Sequence, residues 1–372
     1  MIESISLTNF KCFQDTTTFP ISRINVLYGM NGRGKSTLLQ ALLLFAQSMS
    51  GKGIINKLLL KGPLVNLGTF ADVKNRYSGE AHFEIAIKEG LEHLKSTYGE
   101  NGNPTMAELI GLTVGETDFF DENSTSSSSN DTRTTRTTGV IDKSTIRLLN
   151  TLEHIRYVSA ERLGPREYME RKPIENDSLG VKGENSFQIM EAQGNDFALK
   201  IQAALDEILG GASVRVETST DNSIIQLYLD SVNGTVGFKP TNVGFGYSYA
   251  LPIVMALLLA KPSETLIVEN PEAHLHPAAQ SRMTSLMINI AQEKNLQLFI
   301  ETHSDHVING LRIAVRKSKI ACEEVNILHF TRSNCTSCSP VFEQIQIDSD
   351  GNLSSLPDDF MDEWTKQLLQ LV

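Results

Sequence analysis

The chain has 372 residues, 40% of them hydrophobic, and a formal net charge of −11. That length suits one large α/β domain with an elaboration, or two modest domains. The acidic balance argues against gripping nucleic acid over the whole surface, though not against a local basic patch. No apolar run reaches the roughly 20 residues of a membrane helix, and the first residues lack the pattern of a signal peptide. The expectation is therefore a cytoplasmic protein with no membrane partner.

"IESISLTNF" alternates and reads as a strand, and "INVLY" (24–28) as a compact buried strand. "KSTLLQALLLFAQS" has apolar residues at helical spacing, and "AHFEIAIK" is a further strand. The stretch 121–139 is low-complexity Ser, Thr and Asn, which buries little apolar area and reads as a mobile insertion. "HIRYVSAERLG" reads as a strand leaving into a loop, and "FALKIQAALDEIL" as an amphipathic helix. "SVRVETST", "SIIQLYLD" and "GTVGFKP" read as a small antiparallel meander. A helix from about Tyr247, the strand "TLIVEN", a helix from Pro277, the strand "LQLFIET" and a helix from Ser304 then alternate as in a parallel sheet. "EVNILHFTR" and "VFEQIQIDSDG" read as a late hairpin, and "PDDFMDEWTKQLLQLV" as a closing helix. No heptad run predicts a long coiled coil.

The four cysteines suggest no disulfide framework. Cys335 and Cys338 form one CxxC with Cys322 nearby, but no second pair completes a zinc site, so they read as exposed loop thiols.

"GMNGRGKST" (29–37) fits G-x-x-x-x-G-K-[ST], with a buried strand before it and a helix after it. Glycines let the backbone curl so that successive N–H groups face phosphate oxygens, and a helix N-terminus adds partial positive charge. Asn31, Gly32, Arg33, Gly34, Lys35, Ser36 and Thr37 are the expected nucleotide-binding residues. Lys35 would reach the β and γ phosphates and Ser36 would bind Mg²⁺. Glu269 ends the strand "LIVEN", where P-loop NTPases carry the acid that holds Mg²⁺ through water.

Together "NFKCF", "GMNGRGKSTLLQALLL", "VGFGYSYALP", "ENPEAHLHPAAQ" and "ETHSDHVINGLR" resemble the bacterial ABC/SMC-type predicted AAA ATPases, whose relatives include RecF-like, OLD-family and Septu-type proteins. The nearest form is a short one with a C-terminal domain of unknown function, ending in a pattern like "IDSDGNLSSLPDDFMDEW". The resemblance covers most of the chain, the 121–139 segment being its clearest departure. It implies an α/β fold, an ABC/SMC-type P-loop NTPase head with a mixed sheet flanked by helices and an inserted β-rich and helical lobe. The head would be assembled from 1–115 and 240–330, with a flexible insertion at 116–140, the lobe at 141–239 and a C-terminal hairpin and helix at 331–372.

The resemblance also assigns roles. His303 matches the switch histidine that senses the γ-phosphate; the alternative is a strand-end histidine capping the next helix. Gly246 and Ser248 stand where an ABC signature opens a helix toward the partner subunit's ATP, although the sequence is not LSGGQ. "NPEAHLHP" would form the D-loop, with His274 and His276 read as interface or structural residues. Arg162 and Arg166 lie in a loop that either approaches the site or is solvated.

Asn270 sits where ABC-type ATPases carry the acid that polarises the attacking water. An amide can position water but cannot accept its proton. Either Glu272 or His303 does that work and hydrolysis is slow, or ATP is held until a trigger arrives. The expected catalytic set is Glu269, Asn270, Glu272 and His303, with ATP and Mg²⁺ as cofactors and Ser36 and Glu269 at the metal. The leading functional expectation is an ATP-sandwich homodimer, possibly a higher oligomer. It would regulate a bacterial antiphage defence system beside a separate effector such as an HNH nuclease. A RecF-like DNA-binding clamp and an ATP-dependent scaffold are the alternatives, and a transporter subunit is disfavoured.

Overall fold

The computed structural model describes residues 1–49, 56–115, 117–118, 147–172, 178–230, 237–331 and 340–371. The Ser/Thr-rich segment 121–139 and the Cys335–Cys338 pair lie outside them. The chain packs as two compact units. One comprises Met1–Ser22, Met30–Ile155 and Phe330–Phe342, and the other Arg23–Gly29, Arg156–His329 and Glu343–Val372.

The first unit is built on an antiparallel sheet. Its strands run in the order Thr17–Pro20, Ser4–Thr8, His82–Glu89, Glu92–Glu100, Met106–Val114, Lys57–Leu59, and Thr117–Asp118 pairs with Met106–Val114. Helix Lys35–Met49 belongs to this unit and is buried almost all round, as its unbroken apolar content requires. Phe45 meets Tyr98 at 6.3 Å, and Tyr98, Phe83, Phe10 and Phe70 continue the aromatic core with centroids 5.3–5.6 Å apart. Gln47 is buried on that helix, so its amide must be satisfied. It donates to Leu59 O at 2.6 Å and accepts from the backbone N–H of Leu64 and Val65.

The second unit carries a six-stranded sheet in the order Val341–Ile345, Val325–Thr331, Ile24–Gly29, Gln297–Thr302, Thr265–Glu269, Ile155–Val158. The three strands Ile24–Gly29, Gln297–Thr302 and Thr265–Glu269 pair in parallel, as the alternation of strands and helices predicts. Both faces of these strands are buried, which is why they read as continuous apolar runs. Helices Asn195–Leu209, Phe245–Leu259 and Pro277–Lys294 share one hydrophobic core with Val26, Val268 and Ile300. The C-terminal segment docks into the same unit: Phe360 is buried, with its ring 4.9 Å from that of Tyr28.

Residues 234–236 of the expected third meander strand lie outside the described residues. Ser213–Thr218 and Ile224–Asp230 pair antiparallel, and the other edge is Tyr168–Glu170, three residues too few to show a pattern. Of "GTVGFKP", the described part contributes a single bridge, Phe238 to Leu229. Among the described residues no helix is long and apolar enough to cross a membrane.

Candidate functional site

The phosphate-loop residues lie in the first unit. Gly32 and Gly34 hold φ of 74° and 99°, the left-handed region that an L side chain resists. At Gly34 a Cβ would also lie 2.8 Å from Phe13 Cζ and 3.2 Å from Cys12 Sγ, so glycine is required twice over. Lys35 opens the helix and is buried, its ammonium donating to Met30 O across the loop at 2.8 Å. Asn31 and Gly32 are exposed, and the Gly34 carbonyl accepts from Thr37 N at 3.1 Å. Arg33 Nε is buried without an acceptor among the described residues. Curled glycines, a helix N-terminus and a donor awaiting an acceptor fit an anion rich in oxygens. Cys12 Sγ stands 3.6 Å from Thr37 Oγ1, and burial raises its pKa.

The acidic residues lie in the second unit. Glu269 ends its strand in register with Glu301, which in turn stands beside Leu27. Strand Ile24–Gly29 runs on two residues beyond that row. One Glu269 carboxylate oxygen accepts from Ala160 N at 3.0 Å. Tyr157 is hydrogen-bonded to the same carboxylate; burial first, then the charge of Glu269, push its phenol far above the ordinary range. Ser36 in the first unit and Glu269 in the second each offer hard oxygen, the ligand type magnesium prefers. Magnesium is commonly held by one or two such groups plus substrate phosphates and water. Among the described residues no group of three or more His, Cys, Asp or Glu is placed to hold a metal ion.

Asn270 adopts φ 45°. This left-handed conformation is one that Asn tolerates better than most residues, and it gives the asparagine a backbone reason to be there. Its N–H donates to Glu301 O at 2.7 Å, and its carbonyl accepts from Arg162 and from Ala273 N. Glu272 follows in the same turn. Its carboxylate accepts from Thr302 Oγ1 at 2.8 Å and from His303 N at 2.9 Å, tying the turn to the end of the neighbouring strand. His303 itself is exposed. The cap of helix Asp305–Arg316 is Ser304, not His303: its hydroxyl accepts from His306 N and Val307 N and donates to Gln280 Oε1.

Gly246 lies at the start of helix Phe245–Leu259, where a Cβ would come 3.2 Å from His274 O and 3.3 Å from Leu275 Cδ2. Glycine is thus needed for close approach to the 270–276 turn. Ser248 is half-buried, and Pro252, inside the helix, has no N–H to give its carbonyl. His274 packs its ring 4.1 Å from that of Tyr249, and His276 caps helix Pro277–Lys294 through Ala278 N.

The residue least legible in the sequence is Arg162. Only 4% exposed, it donates through Nη1 to Ser159 O and Glu269 O, and through Nη2 to Asn270 O, at 3.1, 2.7 and 2.6 Å. Burial pushes its pKa down to about 10. Arg166, by contrast, is exposed. The signal available was an arginine a few residues past a buried strand, but its partners lie more than a hundred residues away.

Fold and motifs define an ABC/SMC-type P-loop head. The solved structures it resembles include an SMC head bound to the C-winged helix domain of ScpA, at 12% identity over 93% of this chain and 97% of that one, TM-score 0.54. Another is an SMC head with an extended coiled coil bound to the C-terminal domain of ScpA, derived from Pyrococcus furiosus, at 12% identity over 100% and 99%, TM-score 0.53. Residues 24–309 match the family described as "AAA domain, putative AbiEii toxin, Type IV TA system", and the chain belongs to that AAA-domain family. Residues 320–371 match a family described as protein of unknown function, DUF3696.

Proposed function

We propose that the protein is a Mg-ATP-binding, dimerising ATPase with slow or triggered hydrolysis, and that it regulates a bacterial defence system by acting on a separate effector nuclease. The observation that carries the nucleotide reading is the loop at 29–37: three glycines at positive φ, a buried lysine at the helix start and an unsatisfied Arg33 donor. Bound ATP supplies the γ-phosphoryl group, with magnesium neutralising its charge. Lys35 and the loop amides would bind the phosphates, and Ser36 and Glu269 would each offer oxygen to the metal. The Asn270 amide can orient a water but cannot take its proton. Glu272 already accepts from Thr302 and His303 N, so it serves first to position His303. His303 stays exposed, as a γ-phosphate sensor requires. Slow hydrolysis follows from this lack of a dedicated base. Gly246 and Ser248 open the helix assigned to a partner subunit's nucleotide. The defence role is supported by the matched family's description, which includes a toxin of a type IV system.

Sedimentation velocity of the wild type with Mg-ATP tests the assembly. A dimer that appears with ATP, and fails to appear in Lys35→Ala, is expected. An unchanged monomer under saturating ATP contradicts it.

A further inference from the structure

A buried arginine normally has a carboxylate partner, because desolvating an unpaired cation is expensive. Arg162 is 4% exposed and makes no ion pair among the described residues, and its Nε has no acceptor. Its guanidinium is committed to backbone carbonyls, one of its own turn (Ser159) and the successive pair Glu269 and Asn270. The two terminal nitrogens therefore grip the two successive peptides that flank the Asn270 α-carbon, Glu269–Asn270 and Asn270–Pro271. The first of these joins the last strand residue to the one at φ 45°, so its orientation fixes where the Glu269 side chain leaves the sheet. The Glu269 carboxylate is held by the same segment, through Ala160 N and Tyr157. The ring of Tyr249 covers the guanidinium at 5.8 Å and packs at a tilt against His274 of the 270–276 turn. Tyr249 comes from the helix opened by Gly246 and Ser248.

We infer that Arg162 is a positioning residue for the magnesium-bearing carboxylate. Its fork on the Glu269 and Asn270 carbonyls sets Glu269 for the metal, and Tyr249 links that setting to the start of helix Phe245–Leu259. A lysine keeps the charge but offers one compact ammonium, which cannot hold two successive carbonyls in a fixed plane.

The inference rests on the nucleotide reading above, and its test does not depend on turnover. Binding of a fluorescent ATP analogue is titrated with Mg²⁺, and repeated in EDTA, for the wild type, Arg162→Lys and Tyr249→Leu, each with its melting curve. Outer partners of metal ligands typically change metal affinity by about 10-fold or more when lost. The expected result for Arg162→Lys is a Mg²⁺ half-point raised by about that factor, with the metal-free affinity unchanged because the phosphate loop is intact. Tyr249→Leu, which keeps the fork, shifts it in the same direction by less. A merely structural arginine would lower the melting temperature and leave the half-point in place, and that result overturns the inference. If Arg162→Lys does not fold, a wild-type half-point in Tyr249→Leu overturns it. A wild type that binds no analogue with Mg²⁺ overturns the nucleotide reading and this inference together.

Discussion

Replacing Asn270 separates two reasons for its presence, a chemical one and a conformational one. With φ at 45° the residue lies where most L side chains cost about 1–2 kcal/mol, while glycine costs nothing and asparagine little. Its backbone is held independently of its side chain, by Glu301 O, Arg162 and Ala273 N. Asn270→Glu should therefore fold in the same turn and lose about 1 kcal/mol. A further penalty comes from placing a third carboxylate beside Glu269 and Glu272, and it shrinks with added salt. Asn270→Ala should lose a similar amount without the salt-dependent part. Asn270→Gly should stay near the wild type, because relief of strain offsets the extra freedom of the unfolded chain, a term of about 0.4–1 kcal/mol. Chemical denaturation of all three at two ionic strengths is the assay. A glycine variant clearly less stable than the alanine variant would refute the conformational argument. ATP turnover of the same proteins reads the chemical one, and Asn270→Glu should hydrolyse faster than the wild type.

Other outcomes follow from single contacts. Mg-ATP at about 100 times its Kd should stabilise the wild type by about 2.7 kcal/mol and leave Lys35→Ala unmoved, as read by thermal melting. Glu272→Ala strips acceptors from Thr302 Oγ1 and His303 N and should cost about 1–3 kcal/mol, measured by urea unfolding. Lys294 donates to the carbonyls of Leu257, Leu258 and Ala260 at the end of helix Phe245–Leu259. Lys294→Met should lower the denaturation midpoint and speed amide exchange in that last turn. Gly34→Ala meets both positive φ and Phe13 Cζ, so it should lose nucleotide binding while the second unit's amides keep their protection.

The phosphate loop was legible because its chemistry is local: nine consecutive residues carry the glycines, the lysine and the helix start. The parallel strands were legible because burial on both faces demands unbroken apolar runs. Strand Glu92–Glu100 was not, since its inward positions include the polar Ser96 between Leu94 and Tyr98. The edge strand Tyr168–Glu170 is too short to show an alternation. Asn270 was read as a missing base because side-chain chemistry is visible in a sequence and φ is not. Arg162 could be read only as approaching the site or solvated, because its partners are carbonyls, which every residue carries, so nothing in their identity marks them.

Steady-state ATP hydrolysis with Mg²⁺ over a range of protein concentration, with Lys35→Ala as blank, tests the central claim most directly. The account predicts slow turnover above the blank, with specific activity rising with protein concentration as dimers form. A wild-type rate equal to that of Lys35→Ala at every concentration would contradict it.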